Sequence, residues 1–436
     1  MLKENYSVFC DENGISKFPL TEQQRFSILQ DEKAVKETGK KDGNMNLGNA
    51  IRLTFSVDYD RMEKSIQRVL DENDALTLIL VKENGKYLQQ VVTEYEFHLD
   101  TVDAEGADIN ERLQNAIENA TAFLGQEIDY YQDISIRFRL IKLAEDDFLF
   151  VFVANHWIGD GSTFNLMIEQ IFKYYEDLDA PREEKASFID FVKYECDFVA
   201  SEKGQKQLAY WRKELDGYKQ LNLEPAGKGQ PASAKDQFAQ FESEKLNHIA
   251  QEFKTSQFNV MLLAYHIILS DLIGVDDTVI GFSCANRLKK QFYKTIGYLS
   301  RAVQHRLIVH NTDKLSELLE ISKTKCNENL LNQQTSHYND NSQFYISYQN
   351  FVVGKKNENN KFVSVKIPVK RVLNFFTMLV FENEEGLTLV MNGNENMFSA
   401  DFIALFKKYL SIIVDMMYEN PDVLVEDVRK KYRFES

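Results

Sequence analysis

Residues 148–161, FLFVFVANHWIGDG, carry an apolar run into a histidine and, four residues later, an aspartate. An imidazole has an unperturbed pKa near ~6.5, so His156 is suited to taking a proton at neutral pH from an attacking amine or hydroxyl. The same ring can instead hold by hydrogen bonding a nucleophile that arrives already neutral, and the residue types do not separate these roles. The backbone N–H of Gly161 is a candidate donor to a developing oxyanion, because glycine leaves the approach open.

Competing chemistries find less support. Gly159 and Gly161 bracket Asp160 and predict a tight turn with unusual dihedrals, which argues against His156 and Asp160 as i, i+4 zinc ligands on one helix. Cys, His and acidic residues do not cluster elsewhere at metal-ligand spacing, and no GxSxG elbow occurs, so no metal and no serine nucleophile are expected. His98, His248, His266, His305, His310 and His337 lack a paired motif. Trp157 reads as a core aromatic under the loop or as a substrate contact, and Asn155 as a backbone-satisfying amide or a substrate contact.

These residues need a scaffold. The apolar residues 148–154 suit a fully buried strand and are too few for a membrane span, so the polar residues after them emerge at a strand end. Phe164, Ile168, Ile171, Phe172 and Tyr175 then recur at helical spacing, with Ser162 or Thr163 as the expected cap. Ile134, Ile136, Phe138 and Leu140 alternate just upstream and predict a hairpin turning at 145–147. Ile51, Leu53, Phe55 and Val57 predict a strand, and Met62, Ile66, Val69 and Leu70 a helix. Near the start, Thr21 caps a short helix, followed by a charged, mobile stretch over 32–46. Further on come helices through SFIDFVKYE and KQLAYWRKEL, a buried helix in NVMLLAYHIILSDLIG, a strand in TVIGFSCANR, strands near 344–351 and 375–381, and a last helix over 399–418 closed by Pro421.

At 436 residues the chain exceeds what one core usually serves, which predicts two lobes, and the polar DLDAPREEK stretch over 177–185 marks their boundary. The net charge of −16 disfavours a nucleic-acid surface. An anionic partner would need a local patch such as Arg287, Lys289, Lys290 and Lys294, or Arg429, Lys430, Lys431 and Arg433. Four scattered cysteines without a CxxC pair fit reduced thiols, and no signal peptide or long apolar stretch occurs, so a cytoplasmic protein without membrane contact is expected.

The motif NHWIGDG resembles the HHxxxDG signature of the condensation domains of non-ribosomal peptide synthetases, in the chloramphenicol acetyltransferase-like superfamily. FPLTEQQRFSIL is similar to the family's opening LTxxQ segment, SFIDFVKYE with YWRKEL to its linker helices, and VIGFSCANRLKKQFYKTIGYLSRAVQHR to its IGxPxANR and IGxFxN block. FYISYQNF and LVMNGNENMFS match later blocks. Departures are Asn155 for the first motif histidine, Asn73 and Thr77 for the His and Arg of HxxLR, Ser283 for a common proline and Asn374 for a frequent aspartate. The resembled cyclising and epimerising subgroup signatures are absent.

The resemblance implies an α+β fold of two chloramphenicol acetyltransferase-like lobes in a V-shaped pseudo-dimer with an active-site tunnel: residues 1–178 with the motif, and 179–436 with the linker helices. It implies His156 as the chemical residue and Asp160 as a brace ion-paired to Arg287, joining the first lobe's loop to the second. Ser347 and Gln349, on a strand expected to face the loop, are candidate substrate contacts. The implied reaction moves an acyl or aminoacyl group from a carrier-protein phosphopantetheine thioester to an amine, with acyl or peptidyl carrier proteins as partners and no permanently bound cofactor. A CoA thioester donor, an alcohol acceptor and a catalytically silent carrier-binding scaffold are the alternatives.

Overall fold

A computed structural model describes residues 9–10, 16–39, 43, 45–221, 237–241, 243–335, 343–349, 362–365, 367, 376–383, 386–393 and 400–435. In chain order these form β1 (Phe9–Cys10), β2 (Ser16–Pro19), α1 (Glu22–Thr38), β3 (Asn46–Leu53), α2 (Tyr59–Glu72), β4 (Leu78–Glu83), β5 (Lys86–Val91), β6 (Asp100–Asp103), α3 (Ile109–Leu124), β7 (Ile136–Ala144), β8 (Asp147–Asn155), α4 (Gly161–Glu176), α5 (Phe188–Ala200) and α6 (Glu202–Glu214). There follow β9 (Gln237–Phe241), α7 (Glu244–Glu252), α8 (Gln257–Ile273), β10 (Asp277–Cys284), β11 (Arg301–Ile308), α9 (Leu315–Leu331), β12 (Phe344–Gln349), β13 (Phe362–Val365), β14 (Phe376–Asn383), β15 (Gly386–Gly393), α10 (Ala400–Glu419) and α11 (Val425–Glu435).

The chain makes two compact units. The first comprises Met1–Ser201, Ala285–Ser300 and Phe351–Pro368; the second comprises Glu202–Cys284, Arg301–Asn350 and Val369–Ser436. The division expected at 178/179 thus falls inside the first unit. The reason is local: the Asp74 carboxylate accepts the Phe188 and Ile189 N–H groups at the start of α5, and Phe188, Phe191 and Val192 are buried in the first unit's core.

In the first unit β8 is the middle strand of a five-stranded sheet ordered β13-β3-β8-β7-β6, antiparallel to both neighbours. Phe148, Phe150, Phe152 and Ala154 pack with α2 and α4 residues such as Ile66, Val69, Phe164 and Ile171. Leu149, Val151 and Val153 pack with Ala116, Ala120 and Phe123 of α3. A strand covered on both faces needs no polar alternation, which is why its sequence is a continuous apolar run. A second sheet, β1-β2-β5-β4, contains a hairpin turned at Asn84 and Gly85, both at positive φ (49° and 76°), the geometry an Asn-Gly pair suits. Thr21 caps α1 through a capping box with Gln24, as the sequence predicts, but the helix runs on to Thr38, through part of the stretch expected to be mobile.

The second unit is built on a six-stranded sheet ordered β11-β10-β12-β14-β15-β9. Its core helix α8 has residues 259–270 buried without interruption, capped by Ser256 and ended by Gly274 at φ 75°. The helix α11 follows Pro421, so α10 is not the last helix as expected. No single helix among the described residues is long and apolar enough to cross a membrane.

Inside this unit two histidines form a buried relay. The Ser322 carbonyl can only accept, so His305 Nε2 donates to it at 3.0 Å; His305 Nδ1 then accepts from His266 Nε2 at 2.9 Å, and His266 Nδ1 from the Thr278 hydroxyl at 2.6 Å. This arrangement has both rings neutral, as their burial favours. Burial pushes the pKa of each down, with the charge of Lys325 adding to the effect, and His305 reaches about 4. The unfolded chain takes up protons near pH ~6.5 that the folded chain refuses, so stability present above that pH is lost as pH falls toward ~4, by about 3 kcal/mol for His305. Denaturant unfolding followed across this range is expected to show that slope, and a His266→Leu/His305→Leu double variant to flatten it; equal slopes would contradict the reading.

Candidate active site

The chain leaves β8 at Asn155 and makes one 3-10 turn, His156–Ile158, before α4. Asn155, in place of a motif histidine, caps that turn: its Oδ1 accepts the Trp157 N–H at 3.2 Å. Trp157 is fully buried, its indole N–H donating to Ser135 Oγ at 2.8 Å, so it supports the turn from beneath and has no surface to offer a substrate. The His156 N–H donates to the Met45 carbonyl at 2.8 Å. The glycines do not act as expected. Neither takes a positive φ: Gly159 is extended (φ −164°) and Gly161 is the first residue of α4. Gly159 is needed for space, since a Cβ there would lie 2.8 Å from Thr163 Cγ2 and 3.2 Å from the Phe164 ring. The cap of α4 is Asp160, not Ser162 or Thr163.

The His156 ring is half-buried, with Nδ1 3.0 Å from the Gly159 carbonyl. A carbonyl accepts only, so Nδ1 carries the proton and Nε2 holds a lone pair. One face of the ring stacks on Tyr298, with centroids 4.6 Å apart and planes 26° from parallel. Burial lowers the ring's pKa below its ordinary value, against smaller opposing effects of the Gly159 carbonyl and the Asp160 charge. The imidazole is therefore neutral at neutral pH and has one nitrogen able to take a proton.

Asp160 does not orient the imidazole; its acceptor positions are used elsewhere. Oδ1 accepts from Thr163 N–H (2.8 Å) and Arg287 Nη2 (3.1 Å), and Oδ2 from Arg287 Nη1 (3.0 Å), Leu299 N–H (3.1 Å) and Ser300 N–H (2.8 Å). The Asp160 and Arg287 side chains are 4% and 7% exposed. Burial would raise the carboxyl's pKa; the Arg287 charge and these hydrogen bonds outweigh it and hold the pKa below the usual carboxylate range. Arg287 also donates to Thr163 Oγ1 and the Thr295 carbonyl, and Thr163 Oγ1 both donates to the Gly297 carbonyl and accepts the Gly297 N–H. Gly297 has φ 150°, and a Cβ there would sit 2.1 Å from the Phe188 ring.

This brace lies within the first unit, whereas the sequence places Arg287 in the second lobe. The chain leaves β10 of the second unit, contributes Arg287 and Tyr298 to the first, and re-enters the second at β11. Asn155, His156, Trp157, Asp160, Gly161 and Arg287 are all in the first unit. Ser347 and Gln349 are on β12 in the second: Ser347 is buried, and the Gln349 side chain lies outside the described residues. Sequence reasoning offered Thr163 only as a helix cap and assigned no role to Tyr298 or to the Leu299 and Ser300 amides, although the IGYLS block carries those three.

The other departures are structural. Asn73 closes α2, donating to the Val69 carbonyl (2.7 Å) and Gln170 Oε1 (3.1 Å); Thr77 is buried. The Ser283 hydroxyl meets the Tyr345 hydroxyl at 2.7 Å. Asn374 lies outside the described residues. Most of both basic clusters is engaged: Arg287 pairs with Asp160, Lys294 with Glu183 and Lys430 with Glu426, Arg429 and Arg433 share Asp271, and Lys289 lies over the Tyr194 ring. Among the described residues no three His, Cys, Asp or Glu side chains form a metal-holding group, and Cys196, Cys284 and Cys326 make no disulfide.

Removing one partner of a buried ion pair leaves the other charge unpaired, so Asp160→Ala and Arg287→Ala are each expected to cost about 3–5 kcal/mol. The double variant is expected to lose less than the sum. Denaturant unfolding of all four proteins checks this, and single losses below about 1 kcal/mol would contradict it.

The Condensation domain profile matches residues 23–431. Gramicidin S synthase 2 of Brevibacillus brevis is 20% identical over 449 residues, 94% of this chain and 10% of that protein. Surfactin synthase subunit 1 of Bacillus subtilis is 23% identical over 403 residues, 86% of this chain and 11% of that protein. The chain thus spans a small part of the length of these curated relatives. Among solved structures, the first condensation domain of the calcium-dependent antibiotic synthetase, in complex with a substrate analogue, superposes with TM-score 0.77 at 14% identity, covering 94% of this chain and 97% of that one. A mutant starter condensation domain of rhizomide synthetase in complex with C8-CoA gives 0.76 at 14% identity, covering 94% and 96%. The two units have the chloramphenicol acetyltransferase-like lobe architecture of those structures. With its histidine-bearing turn in place between strand and helix, and a profile match over nearly its whole length, this chain belongs to the condensation domain family of non-ribosomal peptide synthetases.

Proposed function

We propose that this protein joins an acyl or aminoacyl group, presented as a phosphopantetheine thioester on a carrier protein, to an amine. The observation that supports this best is the neutral His156, with Nδ1 bound to the Gly159 carbonyl and the Nε2 lone pair free of that bond. The acceptor nitrogen attacks the thioester carbonyl carbon; the C–N bond forms while the carbonyl electrons move to oxygen. Nε2 takes the proton the amine sheds; if it only holds a neutral amine by hydrogen bonding, that proton passes from the nitrogen to the leaving thiolate without an imidazolium. The oxyanion then re-forms the carbonyl, the C–S bond breaks, and the imidazolium returns its proton to the leaving thiolate.

The donor to the oxyanion is the Gly161 N–H. It lies in the first turn of α4, where N–H groups have no intrahelical partner and the helix dipole is positive. Asp160 takes the Thr163 N–H, three residues into the helix, and leaves that of Gly161 to other acceptors. Asp160 and Arg287 hold the turn and contribute rigidity, not a proton path. Tyr298 fixes the plane of the imidazole, and its ring face favours the imidazolium that forms during turnover.

The family's solved structures include a complex with C8-CoA, so donor choice is part of the test. The purified protein, given an amine with either acyl-carrier protein or acyl-CoA, is expected to form amide from the carrier-bound donor. His156→Ala is expected to lower the rate by about 100-fold or more. Amide from CoA alone would reassign the donor, ester in place of amide would reassign the acceptor, and no turnover with any donor would make the chain a carrier-binding scaffold. The rate is expected to fall with acid below ~6.5 as Nε2 becomes protonated. Tyr298→Phe is expected to retain kcat and Tyr298→Leu to lower it about tenfold and move the acid limb to lower pH; identical profiles for Phe and Leu would remove Tyr298 from the mechanism.

A further inference from the structure

Asn286 carries two costs that stability alone does not explain. Its backbone is left-handed, at φ 51°, a region disfavoured for residues other than glycine, although asparagine tolerates it. The residue is 7% exposed, and its Oδ1 meets no donor among the described residues. The amide cannot be turned over to relieve this, because Nδ2 donates at 3.0 Å to the Leu299 carbonyl, which can only accept. A glycine would adopt the same φ and bring no orphaned acceptor. What the asparagine adds is the bond to Leu299.

That bond falls on the segment that bears Tyr298. The chain leaves β10 at Cys284 and re-enters sheet in β11 at Arg301, and Asn286 ties the start of this excursion to its end. The peptide joining Leu299 to Ser300 is held on both edges: its carbonyl oxygen by Asn286 Nδ2 at 3.0 Å, its N–H by Asp160 Oδ2 at 2.8 Å. Asp160 Oδ2 also takes the Leu299 N–H at 3.1 Å. A planar peptide gripped at one edge can still rock about it, and a second grip at the opposite edge fixes the plane. Tyr298 is one residue upstream, 8% exposed, with its ring stacked on His156 at 4.6 Å. With the peptide after Leu299 fixed, the backbone has little freedom to carry that ring off the imidazole.

We propose that Asn286 is a positioning residue: it holds the Leu299–Ser300 peptide from the edge opposite Asp160 and so keeps the Tyr298 ring on His156. It acts through Tyr298 and not on the reacting atoms. Its consequence for turnover rests on the reading of His156 as the base; its hold on Tyr298 does not. Arg287, the next residue, reaches the same segment through Asp160, so two consecutive residues grip it from its two edges. The rival account is that the turn needs only a residue tolerant of positive φ. Glycine separates the two, because it satisfies the turn and removes the bond.

The test is Asn286→Gly, with Asn286→Asp beside it, which also tolerates positive φ but lacks the Nδ2 donor. NMR of histidine-labelled protein reads the stacking as the ring-current displacement of the His156 ring protons, a quantity that a change in overall stability does not move. Both variants are expected to lose most of the displacement that Tyr298→Leu abolishes, while Asn286→Gly unfolds at a denaturant concentration close to that of the native protein. Amide formation is expected to slow about tenfold, as for Tyr298→Leu, and the double variant Asn286→Gly/Tyr298→Leu to be no slower than Tyr298→Leu alone. A native displacement in Asn286→Gly would leave only the turn requirement and overturn the proposal. So would multiplied losses of rate in the double variant, or an Asn286→Gly protein that does not fold. If the native protein makes no amide, the rate comparison falls with the proposed function, and the ring-current comparison still decides this one.

Discussion

The Asp160 carboxylate is the interaction on which the rest of the site depends. A charge this deeply buried persists only if every acceptor position is used, and here a bidentate arginine and three backbone amides use them. Each donor belongs to an element that borders His156 or begins α4. Thr163 N–H starts α4 and so fixes where Gly161 lies. The Leu299 and Ser300 amides fix the segment whose Tyr298 ring lies against His156. One carboxylate thereby locates the His156 turn, the helix N-terminus and the aromatic face together, which no pairwise contact among them would do.

The same arrangement explains why the imidazole is left free of an acid. A carboxylate bound to Nδ1 would raise the ring's pKa and favour the imidazolium. The Gly159 carbonyl fixes the tautomer without adding a full charge, and burial tips the ring further toward neutral. A base with a lone pair at neutral pH results from withholding Asp160 from it. Asn155 contributes on the backbone side alone, by capping the turn, and so stands in a motif position without a role in proton transfer.

What the sequence made legible follows from the range over which each signal acts. The strand 148–154 and its exit onto His156 could be read because a strand buried on both faces has a continuous apolar run. The Thr21 cap could be read because Ser and Thr caps act within three residues. The pairing of Asp160 with Arg287, 127 residues apart, came through the resemblance and not from spacing. The turn itself was misread: glycines bracketing an aspartate suggested positive φ, but Gly159 is selected by crowding from Thr163 and Phe164, a contact no local pattern records. The lobe boundary was misplaced because a proline-bearing polar stretch marks a loop, and a loop does not show which core its following helix joins; α5 is bound to the first unit through Asp74. The α11 helix was missed because proline was read as an end, although proline also precedes helices. Tyr298 was invisible because stacking on His156 requires the excursion of 285–300 out of the second unit and into the first.

The central claim is that His156 is a neutral imidazole protonated at Nδ1 and held there by a turn that Asp160 anchors. Long-range proton–nitrogen NMR of histidine-labelled protein reads this directly. The account predicts a single Nδ1–H tautomer for His156, titrating below ~6.5, and a mixture of tautomers in Asp160→Asn. An Nε2–H tautomer in the native protein, or a pKa above ~6.5, would contradict it.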